Sequence, residues 1–336
     1  MRHARRLLRV GLVALLVLLL ALAGVGFAAD AGYRHGDPRP RGADGPNGLW
    51  ATHRWVGEAH QPSEYAALAD LLRRERITDL FVHVGPLEAD GTIPATRYAH
   101  ARELLAALHA AAPGVRIQAW IGQRAVRAGG LLDLASERTR ATVAGTAGSF
   151  LDAGFDGIHY DVEPVRSGDP HFLELLRRTR ALTGARGRLL SVATPGLEPF
   201  VLARPVTWAG AFWTTGYYQS VATTVDQLAV MTYTVGVPVD WLYGSYLGRE
   251  TRALARTLDP RVTLLMGVPT YDEDAGHFDA RAENMRSGVR GVAKGLAGLP
   301  PARRARVGVA IYADWTTDPA EWATFRRAWL GLADQR

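Results

Sequence analysis

The chain has 336 residues, 48% of them hydrophobic, which is ample for a full core and excludes global disorder. It contains no cysteine, so disulfides, thiolate nucleophiles and cysteine-ligated zinc are removed together. The formal net charge of +6 sits mainly at the N-terminus: beyond residue 48 the chain holds 32 basic and 30 acidic side chains, with no basic stripe of the kind that binds nucleic acid.

Arg2, Arg5, Arg6 and Arg9 precede an uncharged run from Val10 to Ala29. A basic flank ahead of an apolar stretch is the signature of export across a membrane. The run is near the length that spans a bilayer (~20 residues) and longer than a signal-peptide core (~7–15). Ala21–Ala23 offers a cleavage site, whereas the length favours an uncleaved anchor. Residues 1–29 are therefore expected to be a signal peptide or signal anchor, leaving the body extracytoplasmic, membrane-anchored or secreted. Residues 30–48 are rich in Gly, Pro and Asp and read as a flexible linker. The globular domain is expected over 49–336, as a monomer.

Short β-branched and apolar runs then alternate with longer segments of helical spacing, the pattern of parallel βα units. Strand candidates start at Leu49, Asp79, Arg116, Gly157, Leu189, Gln227, Thr263 and Val307. Between them, Leu104, Leu105 and Leu108 share one helical face, as do Phe172, Leu175, Leu176 and Leu182. The last helix carries Asp318 as N-cap, Pro319 in its first turn and Glu321 for a capping box, with Trp322, Phe325 and Trp329 on its buried face. Eight such repeats predict a (β/α)8 TIM barrel. No Gly-rich fingerprint or phosphate loop appears, so no nucleotide cofactor is expected.

In such a barrel the active site lies at the C-terminal ends of the strands. Along "GIHYDVE" side chains alternate, placing Gly157, His159, Asp161 and Glu163 on one face and Ile158, Tyr160 and Val162 on the other. The apolar set suits the helix layer, so the polar set points into the barrel, with Glu163 uppermost. Asp161 below it raises the glutamate's pKa by like-charge repulsion and favours a protonated general acid. The competing reading is a salt-bridged structural pair, but strand-borne arginines that could neutralise both groups are scarce, essentially Arg54 and Arg116.

The stretch "FDGIHYDVEP" resembles the fourth-strand signature of family-18 glycoside hydrolases, the chitinase-like family, with the pattern Asp-Gly-x-Asp-x-Asp-x-Glu. Asp156, Gly157, Asp161 and Glu163 match it, and His159 replaces the middle aspartate. "VDQLAVMTYT" is similar to the family's sixth strand: Met231 and Tyr233 match, while Thr234 stands in place of an aspartate. "LLMGVPTY", ending in Tyr271, resembles the seventh strand, and Trp315 is similar to the tryptophan that floors the sugar subsite. The third-strand Ser-x-Gly-Gly signature is absent; this chain has "AWIGQ" there.

The resemblance implies a glycosidase of the substrate-assisted kind, acting on β-linked N-acetylated polysaccharide or oligosaccharide without a cofactor or metal. Glu163 would protonate the leaving oxygen, Asp161 would orient the acetamido N–H and Tyr233 would hold its carbonyl oxygen. Asp156 would support the strand. His159 is expected to hydrogen-bond Asp161 and hold it ionised.

Aromatic side chains crowd "WAGAFWTTGYYQS", and Trp213 and Tyr217 are expected among those that stack on sugar, with about half of the cluster packing beneath the loop. Asp272, Asp274, His277 and Asp279 fit no known metal-loop spacing and read as a solvated or substrate-facing loop. Two other readings keep the same cleft: a non-catalytic wall-glycan-binding protein, and a hydrolase of a non-acetylated polymer.

Overall fold

The computed structural model describes residue 24 and residues 38–198, 212–271 and 278–332. The expected N-terminal helix, Trp208 and residues 272–277 lie outside the described residues. Among the described residues no helix is long and apolar enough to cross a membrane.

Eight parallel strands form a closed barrel: β1 Asn47–Ala51, β2 Asp79–Pro86, β3 Arg116–Arg124, β4 Gly157–Glu163, β5 Leu189–Thr194, β6 Gln227–Val230, β7 Thr263–Pro269 and β8 Val307–Tyr312. They pair in chain order, and β8 closes on β1. A helix follows each: α1 Pro62–Arg74, α2 Ala101–Ala111, α3 Glu137–Ala153, α4 Pro170–Ala185, α5 Thr215–Ala222, α6 Asp240–Thr257, α7 Met285–Leu296 and α8 Pro319–Phe325. This is the expected (β/α)8 barrel. A small extra sheet pairs Gly196–Leu197 with Phe212–Trp213 beside β5.

The helices form where the sequence places their caps and faces. At the start of α8, Asp318 accepts from the Glu321 N–H at 2.7 Å while its own N–H donates back to the glutamate carboxylate at 3.1 Å. Trp322, Phe325 and Trp329 are buried as expected. One boundary moves: β1 starts at Asn47, inside the expected linker, and "THRW" turns away into a short helix at Arg54–Gly57. The chain is already fastened before β1, because Arg41 donates to the carbonyls of Val307 at 3.1 Å and Ala305 at 3.1 Å at the foot of the barrel. A single guanidinium docking on carbonyls leaves no apolar period to read.

Inside the barrel, alternation sorts side chains by height. At the foot, Gln118 donates to Asp79 and to Gln227, each at 2.9 Å, and Arg116 donates to Asp79 at 2.6 Å. Above this polar plug lie Trp50, Phe81 and Leu265 with the small residues Ala229 and Ala310. Large rings face small residues because the bore is narrow. The top layer is polar and aromatic and forms the site.

On the outside, α6 and α7 touch backbone to backbone. A Cβ at Gly291 would lie 2.5 Å from the Gly244 carbonyl oxygen, and one at Gly295 2.6 Å from that of Gly248. Gly291→Ala must push the helices apart, at an overpacking cost of about 1–3 kcal/mol. Thermal unfolding is expected to show Tm lowered by several degrees; an unchanged Tm would refute the close contact.

Candidate active site

A cleft of about 900 Å³ opens at the C-terminal ends of the strands, large enough for an extended ligand. Its described carboxyls are Asp161 and Glu163, both from β4. They project from one face of one strand, as their spacing predicts, with Asp161 largely buried and Glu163 open to the cleft.

The two carboxyls are hydrogen-bonded to each other. Asp161 Oδ2 accepts from the Trp120 indole N–H at 2.9 Å. Its Oδ1 is buried and meets no backbone or side-chain N–H or neutral hydroxyl, so a protonated Glu163 is the donor it has. Burial raises both pKa values. Glu163 is pushed up to about 8, first by desolvation and then by the Asp161 charge and hydrogen bond, against the opposing field of Arg124. Glu163 is thus a neutral acid at neutral pH, leaning on an aspartate that accepts its proton.

His159 departs from the expectation. Fully buried two residues below Asp161, it accepts from the Trp50 indole N–H at its Nε2, 3.1 Å away. Since Nε2 accepts, the proton is on Nδ1, which donates to Ser191 Oγ at 2.8 Å. Both ring nitrogens are used, and the ring stacks on Phe81 with centroids 3.9 Å apart. Burial lowers its pKa to about 3, so the imidazole is neutral. It neither bonds nor ionises Asp161. The polar support comes from Trp120, in the "AWIGQ" strand.

The opposite wall is a tyrosine stack. Tyr233 follows β6 and lies 5.1 Å from Tyr312, centroid to centroid, at 27°. Its ring needs Gly267, where a Cβ would come within 2.7 Å of it. The carboxyl pair raises the pKa values of Tyr312 and Tyr233 after burial does, so both phenols stay protonated donors facing that charge. Tyr271 stands at right angles to Tyr233 at 6.2 Å and hydrogen-bonds Thr234. Met231 completes this side of the cleft. Trp315, expected as the floor, is on the rim with 49% of its surface exposed; the ring deeper in the cleft is Tyr312.

Three other expected residues are elsewhere. Asp156 sits below the start of β4, where it accepts from the Ile117 N–H at 3.0 Å and from Arg188 at 2.5 Å, so it supports the strand from its foot. Trp213 and Tyr217 do not line the cleft. Trp213 is buried and donates to the Val165 carbonyl at 2.8 Å, and Tyr217 is buried and donates to the Asp169 carbonyl at 2.8 Å. Of that aromatic cluster, Phe212 reaches the cleft. Sequence reasoning missed Trp50, Trp120 and Tyr312. The signal available was alternation, which puts Trp120 beside His159 and one step below Asp161 in the β3–β4 register.

The pair makes a direct prediction. In Asp161→Asn the like charge is gone, so the Glu163 midpoint should fall by roughly one pH unit while staying above the ordinary value of 4.5, because burial remains. Carbon-13 NMR titration of the glutamate carboxyls measures it, and an unmoved midpoint would separate the two groups.

No family model matches the chain, and no curated protein matches it. Solved structures do. The Group IV chitinase of Ostrinia furnacalis superposes with a TM-score of 0.59 at 16% identity, covering 86% of this chain and 100% of that one. The class V chitinase of Pseudomonas fluorescens Pf-5 gives 0.54 at 14% identity, covering 85% and 99%. The spore cortex-lytic enzyme SleL of Bacillus cereus gives 0.56 at 13% identity, covering 85% and 75%. What these comparisons share with the chain is architecture, and the chain has the barrel fold of the chitinases and of SleL.

Proposed function

We propose that the protein is a glycoside hydrolase of chitinase-like type that cleaves β-linked, N-acetylated glycans. The observation that carries the reading is the Asp161–Glu163 carboxyl pair, in contact on one face of one strand at the top of a chitinase-like barrel and facing a wall of tyrosines. A glycosidase that forms a covalent intermediate on the protein sets a second carboxylate across the bond, with the two carboxyl groups about 5–5.5 Å apart. Asp161 cannot take that place, since it shares strand and face with Glu163, and no other described carboxyl lines the cleft.

A substrate that brings its own nucleophile resolves this. Glu163 gives its proton to the glycosidic oxygen as the C1–O bond breaks, and the 2-acetamido carbonyl oxygen attacks C1 to form an oxazolinium ion that keeps its N–H. Asp161, freed of that hydrogen bond, accepts from the acetamido N–H and orients it. The Tyr233 hydroxyl donates to the acetamido oxygen. Water then adds at C1, returning its proton to Glu163, and the configuration is retained. Tyr312 and Trp315 offer ring faces to the sugar.

Residues 10–29 are proposed as a membrane anchor or export signal, with the barrel outside. Arg41 fastens the chain to the barrel foot, opposite the cleft, which supports a tether that joins the barrel on the side away from the cleft. That arrangement suits a wall polymer.

Two outcomes are expected with N-acetyl-chito-oligosaccharide reporters. Glu163→Gln should lose about 10²–10⁴-fold in kcat/KM, the range of general acid catalysis. In wild type, Glu163 must be protonated to act, so kcat/KM should hold at neutral pH and fall as pH rises through about 8. Activity surviving Glu163→Gln would remove the acid, and absence of turnover with binding intact would favour a binding protein.

A further inference from the structure

The turn after β6 carries the tyrosine wall and is held in an unusual way. Thr234 has φ of +58°, a left-handed conformation that a β-branched residue rarely adopts. Its hydroxyl hydrogen-bonds Tyr271, and its chain neighbour is Tyr233. The backbone beyond it wraps one group. Glu283, fully buried just ahead of α7, accepts from the N–H groups of Val235 at 3.1 Å, Gly236 at 2.9 Å and Val237 at 3.3 Å.

No basic side chain pairs with Glu283 among the described residues. A buried carboxylate is costly without partners, and here its partners are successive amides of one turn, an anion-binding nest. Val235 and Val237 pack part-buried against the core, whereas Thr234 and Gly236 are exposed and Val239 keeps 39% of its surface accessible, so the polar fixing of the backbone falls to the Glu283 carboxylate. A carboxylate and a run of N–H groups thus hold a conformation that the residue at 234 disfavours. The conformation in turn sets where the Thr234 hydroxyl meets Tyr271 and where the Tyr233 ring enters the cleft.

We propose that Glu283 is a positioning residue for the cleft: its carboxylate clamps the 234–237 turn, holds Thr234 left-handed, and so places Tyr233 and Tyr271 against the substrate. The kinetic half of this rests on the glycosidase reading; the conformational half stands apart from it.

The test uses the full chain with Glu283→Gln, which keeps the shape and removes the charge, alone and combined with Thr234→Asn. Asparagine accepts the left-handed conformation and keeps a polar group for Tyr271. Hydrogen exchange at the Val235–Val237 amides should quicken at least tenfold in Glu283→Gln, and kcat/KM on acetylated reporters should fall at least tenfold. Adding Thr234→Asn should bring kcat/KM back to within about threefold of the Thr234→Asn single variant. A carboxylate that served stability alone would lower Tm without this rescue. Unchanged exchange, or quickened exchange with unchanged kinetics, or absence of rescue overturns the proposal. If Glu283→Gln does not fold, Glu283→Asp, one methylene shorter, is read by the same three measures. If wild type cleaves no acetylated glycan, the glycosidase reading falls, and exchange at 235–237 still decides whether Glu283 clamps the turn.

Discussion

A proton held between the carboxyls of Glu163 and Asp161 is the constraint around which the top of the barrel is organised. Two carboxylates on adjacent inward positions of one strand repel, and burial makes that repulsion expensive. One of them must carry a proton. Glu163, nearer the cleft, is raised to about 8 and takes it. Asp161 is then stabilised by two neutral donors, the Trp120 indole and the Glu163 hydroxyl. No cation is needed beneath the pair, and the histidine there stays neutral.

The rest of the interior follows from keeping that pair in place. His159 is tied to Trp50 and Ser191, and it stacks on Phe81, so β4 is pinned to β1 and β5 at mid-height. Trp50 also meets Tyr233 and Tyr312 edge-on, at 6.3 Å and 5.6 Å, which carries the same packing up into the tyrosine wall. The site is therefore set by barrel strands for its carboxyls and by barrel-end turns for its phenols. Strands give the acid a rigid mount, while the turn after β6 depends on the Glu283 nest.

The strands and the acid pair were legible because period-2 alternation marks which side chains enter a barrel. Asp161, Glu163 and Tyr233 line one cleft at the ends of the strands. Partners were harder, since alternation gives a face and not the group across the bore: Trp50 reaches His159 from 109 residues away. Aromatic loops misled for a related reason. Trp213 and Tyr217 have polar edges satisfied by backbone carbonyls, and nothing local separates such a ring from one that waits for sugar. Glu283 and Arg41 were invisible because their partners are backbone groups, which every residue carries.

The central claim is that a glycan lies across the tyrosine wall with its scissile oxygen beside the side chain at position 163. A crystal structure of Glu163→Gln soaked with an N-acetyl-chito-oligosaccharide tests it most directly. The account predicts a sugar over Tyr233 and Tyr312, its acetamido group between Asp161 and the Tyr233 hydroxyl, and the glycosidic oxygen within hydrogen-bond reach of the carboxamide introduced at position 163. A saccharide bound elsewhere on the barrel, or one in the cleft with its acetamido group turned away from Asp161, would contradict it.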